Sequence, residues 1–449
     1  MSFFAADSRL YSPLFGDEQT AVLLSDEAAV ARMVEVEAAL ARAQAQLGIV
    51  PQAAADAVST LAGTFTPDLD ALAAGVAHDG LPMIALLRQL RGQLATEHAS
   101  WLHWGATTQD ILDTALMLQL RAVLELLEAR LNETVRALAT LADTHRYTLT
   151  AGRTHSQQAL PITFGLKVAN WLAPLLRWRE RLSQLRPRLL VVQFGGAAGT
   201  LSSLRADGLA VQDALAAELG LGVPLLPWHT SRDSLYELAG WLGGVTGSLA
   251  KMSQDIILLC QSEVAEVRES ADPSRGGSST MPQKSNPVVS ELVVAASRAS
   301  AGLLSGMQQA LVQEHERATH GWQLEWLSLP PLLALSASSL RHSLFLARNL
   351  QVDTARMQAN VDASRGMMLA EMLSFALAEP LGRERAGALV RRAVVQASTE
   401  GRHLRDVLRE LSAPELVGHL PLSWDSFTEA NALGSSEVFL DRVLNAANG

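Results

Sequence analysis

Leu238, Leu242, Val245, Leu249, Met252, Ile256 and Leu259 alternate spacings of four and three without an error. This is the a/d pattern of a helical seam, and such a stripe has to be buried against other helices along its whole length. A second seam, Leu116, Leu120, Val123, Leu127, Leu131, Val135 and Leu138, keeps three-or-four spacing over about six turns. A third periodic stretch, Met33, Val36, Ala39, Leu40, Ala43 and Leu47, begins near Asp26 and is closed by Gly48 and Pro51. Long helices packed side by side therefore set the fold, and an all-α chain built around a long central helix bundle is expected.

Composition agrees. Aromatic residues are 5% of the 449, Ala and Leu dominate, and β-branched runs are scarce. The 48% hydrophobic content supports a large core. Division falls at changes of helix length, giving an N-terminal helical domain (1–112), a central long-helix domain (113–365) and a small C-terminal helical domain (366–449). In the last of these, breaks are expected near Pro380-Leu381-Gly382 and Ser412-Ala413-Pro414. One more bundle helix is expected after Pro330-Pro331.

Cys260 is the single cysteine and lies in an apolar run, so an inert buried thiol is expected and no intrachain disulfide is possible. No basic N-terminal region precedes an apolar segment and no uninterrupted apolar run reaches membrane-spanning length, which points to a cytoplasmic protein without a membrane partner. A net charge of -10 argues against nucleic acid as a partner. An acidic chain that binds an anion must concentrate cations locally.

Three polar stretches offer such places. Gly276-Gly277-Ser278-Ser279-Thr280-Met281-Pro282-Gln283-Lys284-Ser285-Asn286-Pro287 is a loop free to take unusual dihedrals and then fixed by two prolines. Asn286 suits an N-cap and Pro287 the first helical position, so the loop is expected on a positive helix terminus. A hydroxyl, an ammonium and that terminus suit a carboxylate or a developing anion, although a plain Gly/Ser turn reads the same way. Trp101-Leu102-His103-Trp104-Gly105-Ala106-Thr107-Thr108-Gln109-Asp110 is hydroxyl-rich and precedes a long helix, as a carboxylate cradle or an ordinary capping loop would. Ala151-Gly152-Arg153-Thr154-His155-Ser156-Gln157 is read as a loop holding a planar cation, an imidazole and hydrogen-bonding side chains, ahead of a second long helix from about Pro161.

Elsewhere, Gly195-Gly196-Ala197-Ala198-Gly199-Thr200 reads as tight backbone packing, since no β-rich strand or Gly-Lys-Ser/Thr accompanies it. Arg232 suits a substrate clamp or an ion pair with Asp233 or another neighbour. His315 and His320 stand five apart, a poor spacing for a helical metal pair, and the Gln313–Trp326 stretch reads as a helix end or a substrate-shaping wall. No metal or organic cofactor is expected.

Gly277 to Pro287 resembles the signature of the fumarase/aspartase superfamily, Gly-Ser-Ser-x-Met-Pro-x-Lys-x-Asn-Pro. His103-Trp104-Gly105-Ala106-Thr107-Thr108-Gln109-Asp110 resembles that superfamily's first region, with Thr108 where serine is more usual. Thr154 to Pro161 resembles its second region, Thr-His-x-Gln-x-Ala-x-Pro, at every fixed position. The resemblance implies three domains, a homotetramer with a core of twenty helices, and active sites assembled from three subunits. It implies elimination or addition next to a carboxylate, through an aci-carboxylate. It places Ser278, His155 and Lys284 in catalysis. His103, Thr107, Thr108, Arg153, Thr154, Gln157, Ser279, Met281, Asn286 and Arg317 would then bind a small polycarboxylate.

Within the superfamily, the 34–43 helix, the Gly195–Thr200 loop and the His315–Trp326 stretch are similar to bacterial 3-carboxy-cis,cis-muconate cycloisomerases. Those act in the protocatechuate branch of aromatic degradation, the β-ketoadipate pathway, closing one carboxylate onto the substrate's own double bond. An adenylosuccinate lyase is the alternative, weakened because Arg9 and Tyr11 are split by Leu10 where that branch has an adjacent pair. An inactive helical scaffold is the second alternative, and intact Ser278, His155, Lys284 and Asn286 count against it.

Overall fold

The structure is a computed structural model and describes residues 4–272, 274–416 and 423–448. The fold is all-α. Among the described residues, five helices run for 22 to 37 residues: Thr108–Thr144, Phe164–Leu189, Asp233–Cys260, Val288–Gln309 and Gly321–Asn349. The seam from Leu238 to Leu259 is buried at every position, as are Leu120, Val123, Leu127, Leu131, Val135 and Leu138 in the second seam. Leu116, at the head of that seam, is half-buried.

Three expectations need correcting. Pro330 and Pro331 lie inside the helix Gly321–Asn349 and not ahead of it. Neither nitrogen can bond the carbonyl four residues back, but burial of Leu329, Leu332 and Leu333 around them offsets the loss. Pro414 likewise sits within the helix Leu404–Leu416. The stretch read as a loop around His155 is an antiparallel hairpin, Leu149–Thr154 with Gln157–Thr163, and the following helix starts at Phe164. The alternation of buried and exposed residues there is too short and too polar to stand out from a loop.

The chain forms two compact units, and the divisions between them fall within the five long helices. The first comprises 1–131, 178–247 and 295–341. Its core joins Val36, Ala39 and Leu40 of the helix Asp26–Gln46 to Leu86, Leu90, Leu118, Phe194, Val211 and Leu215. Ser25 caps that helix, its hydroxyl accepting from the Ala28 N–H at 3.2 Å. At Gly244 the helix Asp233–Cys260 passes so close to Trp178 that an added Cβ would lie 2.2 Å from the ring.

The second unit comprises 132–177, 248–294 and 342–449. Its hairpin packs Ala151 with Val361 and Met368. The C-terminal helices Ala370–Leu381, Arg383–Glu400 and Leu404–Leu416 enclose a separate core of Leu373, Leu377, Leu389, Ala393, Leu404 and Leu408. Cys260 ends its helix half-buried, and burial pushes its thiol up to about 12, so it is inert at neutral pH.

Candidate active site

The Gly/Ser loop is a closed excursion of the second unit. Gly276 carbonyl accepts from both the backbone N–H (2.8 Å) and the side-chain Nδ2 (2.9 Å) of Asn286. Gly277 pairs with Ser285, whose hydroxyl donates to the Arg275 carbonyl at 3.2 Å. Gly276 has φ of 71°, and a Cβ there would lie 2.2 Å from the Asn286 carbonyl oxygen, so this closure requires glycine. Asn286 thus fastens the loop's neck and does not cap the helix.

Inside the loop, Ser278 Oγ accepts from the N–H of Met281 at 3.1 Å and of Thr280 at 3.3 Å. Two N–H dipoles aimed at one hydroxyl oxygen favour its anionic form, which an isolated serine could not reach. Ser279, Met281 and Lys284 are exposed around it, with Ser279 Oγ 3.4 Å from Thr280 Oγ1.

The helix terminus behind the loop is already occupied. Its first carbonyl acceptor is Pro287, and Glu269 takes the N–H of Val289 (3.0 Å) and of Ser290 (2.6 Å). The expectation of an open positive terminus is therefore corrected: a buried carboxylate of the chain itself fills it.

His155 and Ser156 are the two turn residues of the hairpin, with φ of 47° and 63°. Left-handed dihedrals at both positions suit the strand twist, and side chains that hold them carry some strain. Thr154, His155 and Gln157 are exposed at this tip. Arg153 is set back: its guanidinium donates to both oxygens of Glu266, at 3.0 and 2.6 Å. Glu266 is fully buried and also accepts from Asn360 at 2.8 Å. Glu266 and Glu269 flank the two-residue strand Val267–Arg268, so one short segment secures both the hairpin and the base of the loop.

In the first unit, Thr107 precedes the helix Thr108–Thr144, and the Asp110 carboxylate in the helix's first turn accepts from the Thr107 N–H at 3.0 Å. Asp110 is the hub of its surroundings. It also accepts from Gly195 N–H (3.0 Å), Gly196 N–H (2.9 Å), Gln193 Nε2 (3.2 Å) and His229 Nε2 (2.8 Å). Close packing explains the glycines, since a Cβ on Gly195 would lie 2.6 Å from Pro227. Arg317 donates to Thr107 Oγ1 at 3.1 Å, which brings two predicted binding residues together. His103 stands in the same loop with φ of 66° and bonds Glu37.

Arg232 is not available to a ligand. It is buried and donates to Asp113 (2.6 and 3.1 Å) and to Glu325 (2.8 and 2.5 Å). Burial opposes its charge, yet the two carboxylates hold its pKa above the ordinary value. Trp322 Nε1 completes Asp113 at 3.1 Å. Of the residues sequence reading passed over, Asp110 lay inside a quoted block without a role. Glu37, Glu266 and Glu269 carry no local signal, because their partners lie 66, 113 and 20 residues away.

An all-helical chain whose polar loops gather hydroxyls, imidazoles and cations is built as an enzyme for small anionic molecules, of the helical lyase class. It belongs to the lyase family within the fumarase/aspartase superfamily, the lyase family model matching residues 12–302. The 3-carboxy-cis,cis-muconate cycloisomerase of Pseudomonas aeruginosa is 43% identical over 444 residues, covering 97% of this chain and 96% of that one. The enzyme of the same name from Acinetobacter baylyi is 38% identical over 447 residues, covering 98% and 99%. The crystal structure of the 3-carboxy-cis,cis-muconate lactonizing enzyme from Pseudomonas putida superposes with a TM-score of 0.90 at 41% identity, covering 98% and 99%.

Proposed function

We propose that the chain is a cycloisomerase that converts 3-carboxy-cis,cis-muconate to 4-carboxymuconolactone in aromatic catabolism. The observation that carries this reading is the 43% identity to a cycloisomerase of that name over nearly the whole of both chains. In the reaction one substrate carboxylate oxygen bonds to a carbon of the substrate's own double bond. The displaced electron pair moves onto the neighbouring carboxylate as an aci-carboxylate, and its α carbon then takes a proton. No fragment leaves, and one proton is taken up for each turnover.

Ser278 and His155 are the two proton-transfer groups, and the N–H groups of Thr280 and Met281 make the serine oxygen fit for the task. Lys284 supplies the cation for the aci-carboxylate, assisted by Asn286. His103, Thr107, Thr108, Arg153, Thr154, Gln157, Ser279, Met281 and Arg317 orient the three carboxylates, with Arg153 doing so from its seat on Glu266. The enzyme works as a cytoplasmic homotetramer whose sites draw on three subunits, without a cofactor. Support for assembly comes from the helix Val288–Gln309, a long apolar helix of which only 28% of the most apolar stretch is buried. Incubation with 3-carboxy-cis,cis-muconate should give a single product that, as the free acid, has the mass of the substrate. Release of a second product would refute the reading.

A further inference from the structure

Glu37 lies on the helix Asp26–Gln46 between Val36 and Ala38, both buried, and its own side chain is 1% exposed. A carboxylate rarely enters such a core without a compensating partner. Its Oε1 stands 2.6 Å from His103 Nδ1, while Oε2 has no hydrogen-bond partner among the described residues. Among the described residues the histidine ring is therefore its only hydrogen-bonded compensation. His103 in turn is held where few non-glycine residues sit, at φ of 66°, and the adjoining Trp104 carbonyl accepts from Gln44 Nε2 at 2.7 Å. One helix face thus fixes both the backbone and the ring. The ring keeps 14% exposure, and Nε2 has no protein partner among the described residues.

We propose that Glu37 is a positioning residue: its buried carboxylate accepts the Nδ1–H of His103 and favours the doubly protonated ring, so that Nε2–H is offered to a carboxylate of the substrate. The assignment rests on the reading above that His103 meets the substrate. Three charged groups face the ring from three helices: Glu37, Asp110 and Arg91. Burial lowers the imidazole's pKa and Arg91 works the same way, but Glu37, by charge and hydrogen bond, and Asp110 outweigh them, and the net direction is upward. A neutral ring bonded through Nδ1–H would present a lone pair at Nε2 and repel a carboxylate. The charge, and not merely the tautomer, is what Glu37 secures.

Glu37→Gln separates the two. The amide oxygen still accepts from Nδ1–H, but the negative charge is gone. Just above the ordinary imidazole value of 6.5 the variant should show KM for 3-carboxy-cis,cis-muconate raised about tenfold, with kcat within about twofold of wild type. At about pH 5, below the value to which burial pulls a ring without the Glu37 charge, protonation should bring KM back towards that of wild type. An equal rise in KM at both pH values would make Glu37 a structural residue only, and an unchanged KM at both would remove it from the site. Should the variant fail to fold, histidine ring titration in the wild type decides: a His103 that titrates at or below the ordinary 6.5 overturns the inference. A wild type that folds, shows the raised His103 titration and yet does not turn over the muconate would contradict the functional reading alone.

Discussion

Removing the Ser278 hydroxyl should lower kcat by about 10²- to 10⁴-fold while leaving the circular dichroism spectrum and subunit assembly unchanged, because the group does chemistry and no packing. Its oxygen only accepts from Thr280 and Met281 N–H, so Ser278→Ala frees two exposed donors that water can satisfy. Steady-state kinetics of the variant checks this, and full turnover would contradict the mechanism. Charge placement is also decided at single residues. His103 has its pKa raised in the folded state, so the stability it adds is fully present below 6.5 and is lost as pH rises through the folded value. Such effects come from partners far away in sequence. His103, Thr107 and Arg317 were legible as polar residues in suggestive blocks, but Glu37 reads as one more charge in an amphipathic helix. Its burial depends on a fold that brings residues 37 and 103 together.

Helices and the hairpin show where local pattern succeeds and where it does not. The four-and-three seams were legible because burial of a stripe repeats every turn, and all seven positions from Leu238 to Leu259 are buried. The proline pair misled because the loss of two backbone bonds is a local signal, whereas the leucines that outweigh it act through tertiary packing. The hairpin was hidden for a related reason. His155 and Ser156 are not the residues that usually mark a tight turn, and the two left-handed dihedrals they adopt are imposed by the strands on either side. Close helix contacts give a prediction with an unusual sign. Gly→Ala within a helix normally stabilises by about 0.5–1 kcal/mol. At Gly244 the added methyl would meet the Trp178 ring at 2.2 Å, so Gly244→Ala should instead destabilise by about 1–3 kcal/mol in urea unfolding. A stabilised variant would mean that the two helices lie further apart than described.

At the scale of the whole molecule, the proposed tetramer would form through surfaces that one chain leaves uncovered. On the helix Val288–Gln309, Ala295, Arg298, Ala299 and Gly302 fall at three-or-four spacing and are exposed, a face of mostly small residues that lets another helix approach closely. Ala299→Glu keeps helix propensity but puts a charge on that face. It should shift the sedimentation of the proposed tetramer to smaller species and abolish turnover, because sites shared by three subunits would come apart. An intact tetramer with full activity would place the interface elsewhere. The central claim concerns the reaction, and proton balance reads it directly. Closing a carboxylate onto its own double bond consumes one proton per molecule, whereas eliminating fumarate from adenylosuccinate consumes none. Purified enzyme in weak buffer with a pH indicator should therefore lose the muconate absorbance and take up protons one for one, while adenylosuccinate yields no fumarate. Fumarate appearing from adenylosuccinate, with the muconate untouched, would contradict the account.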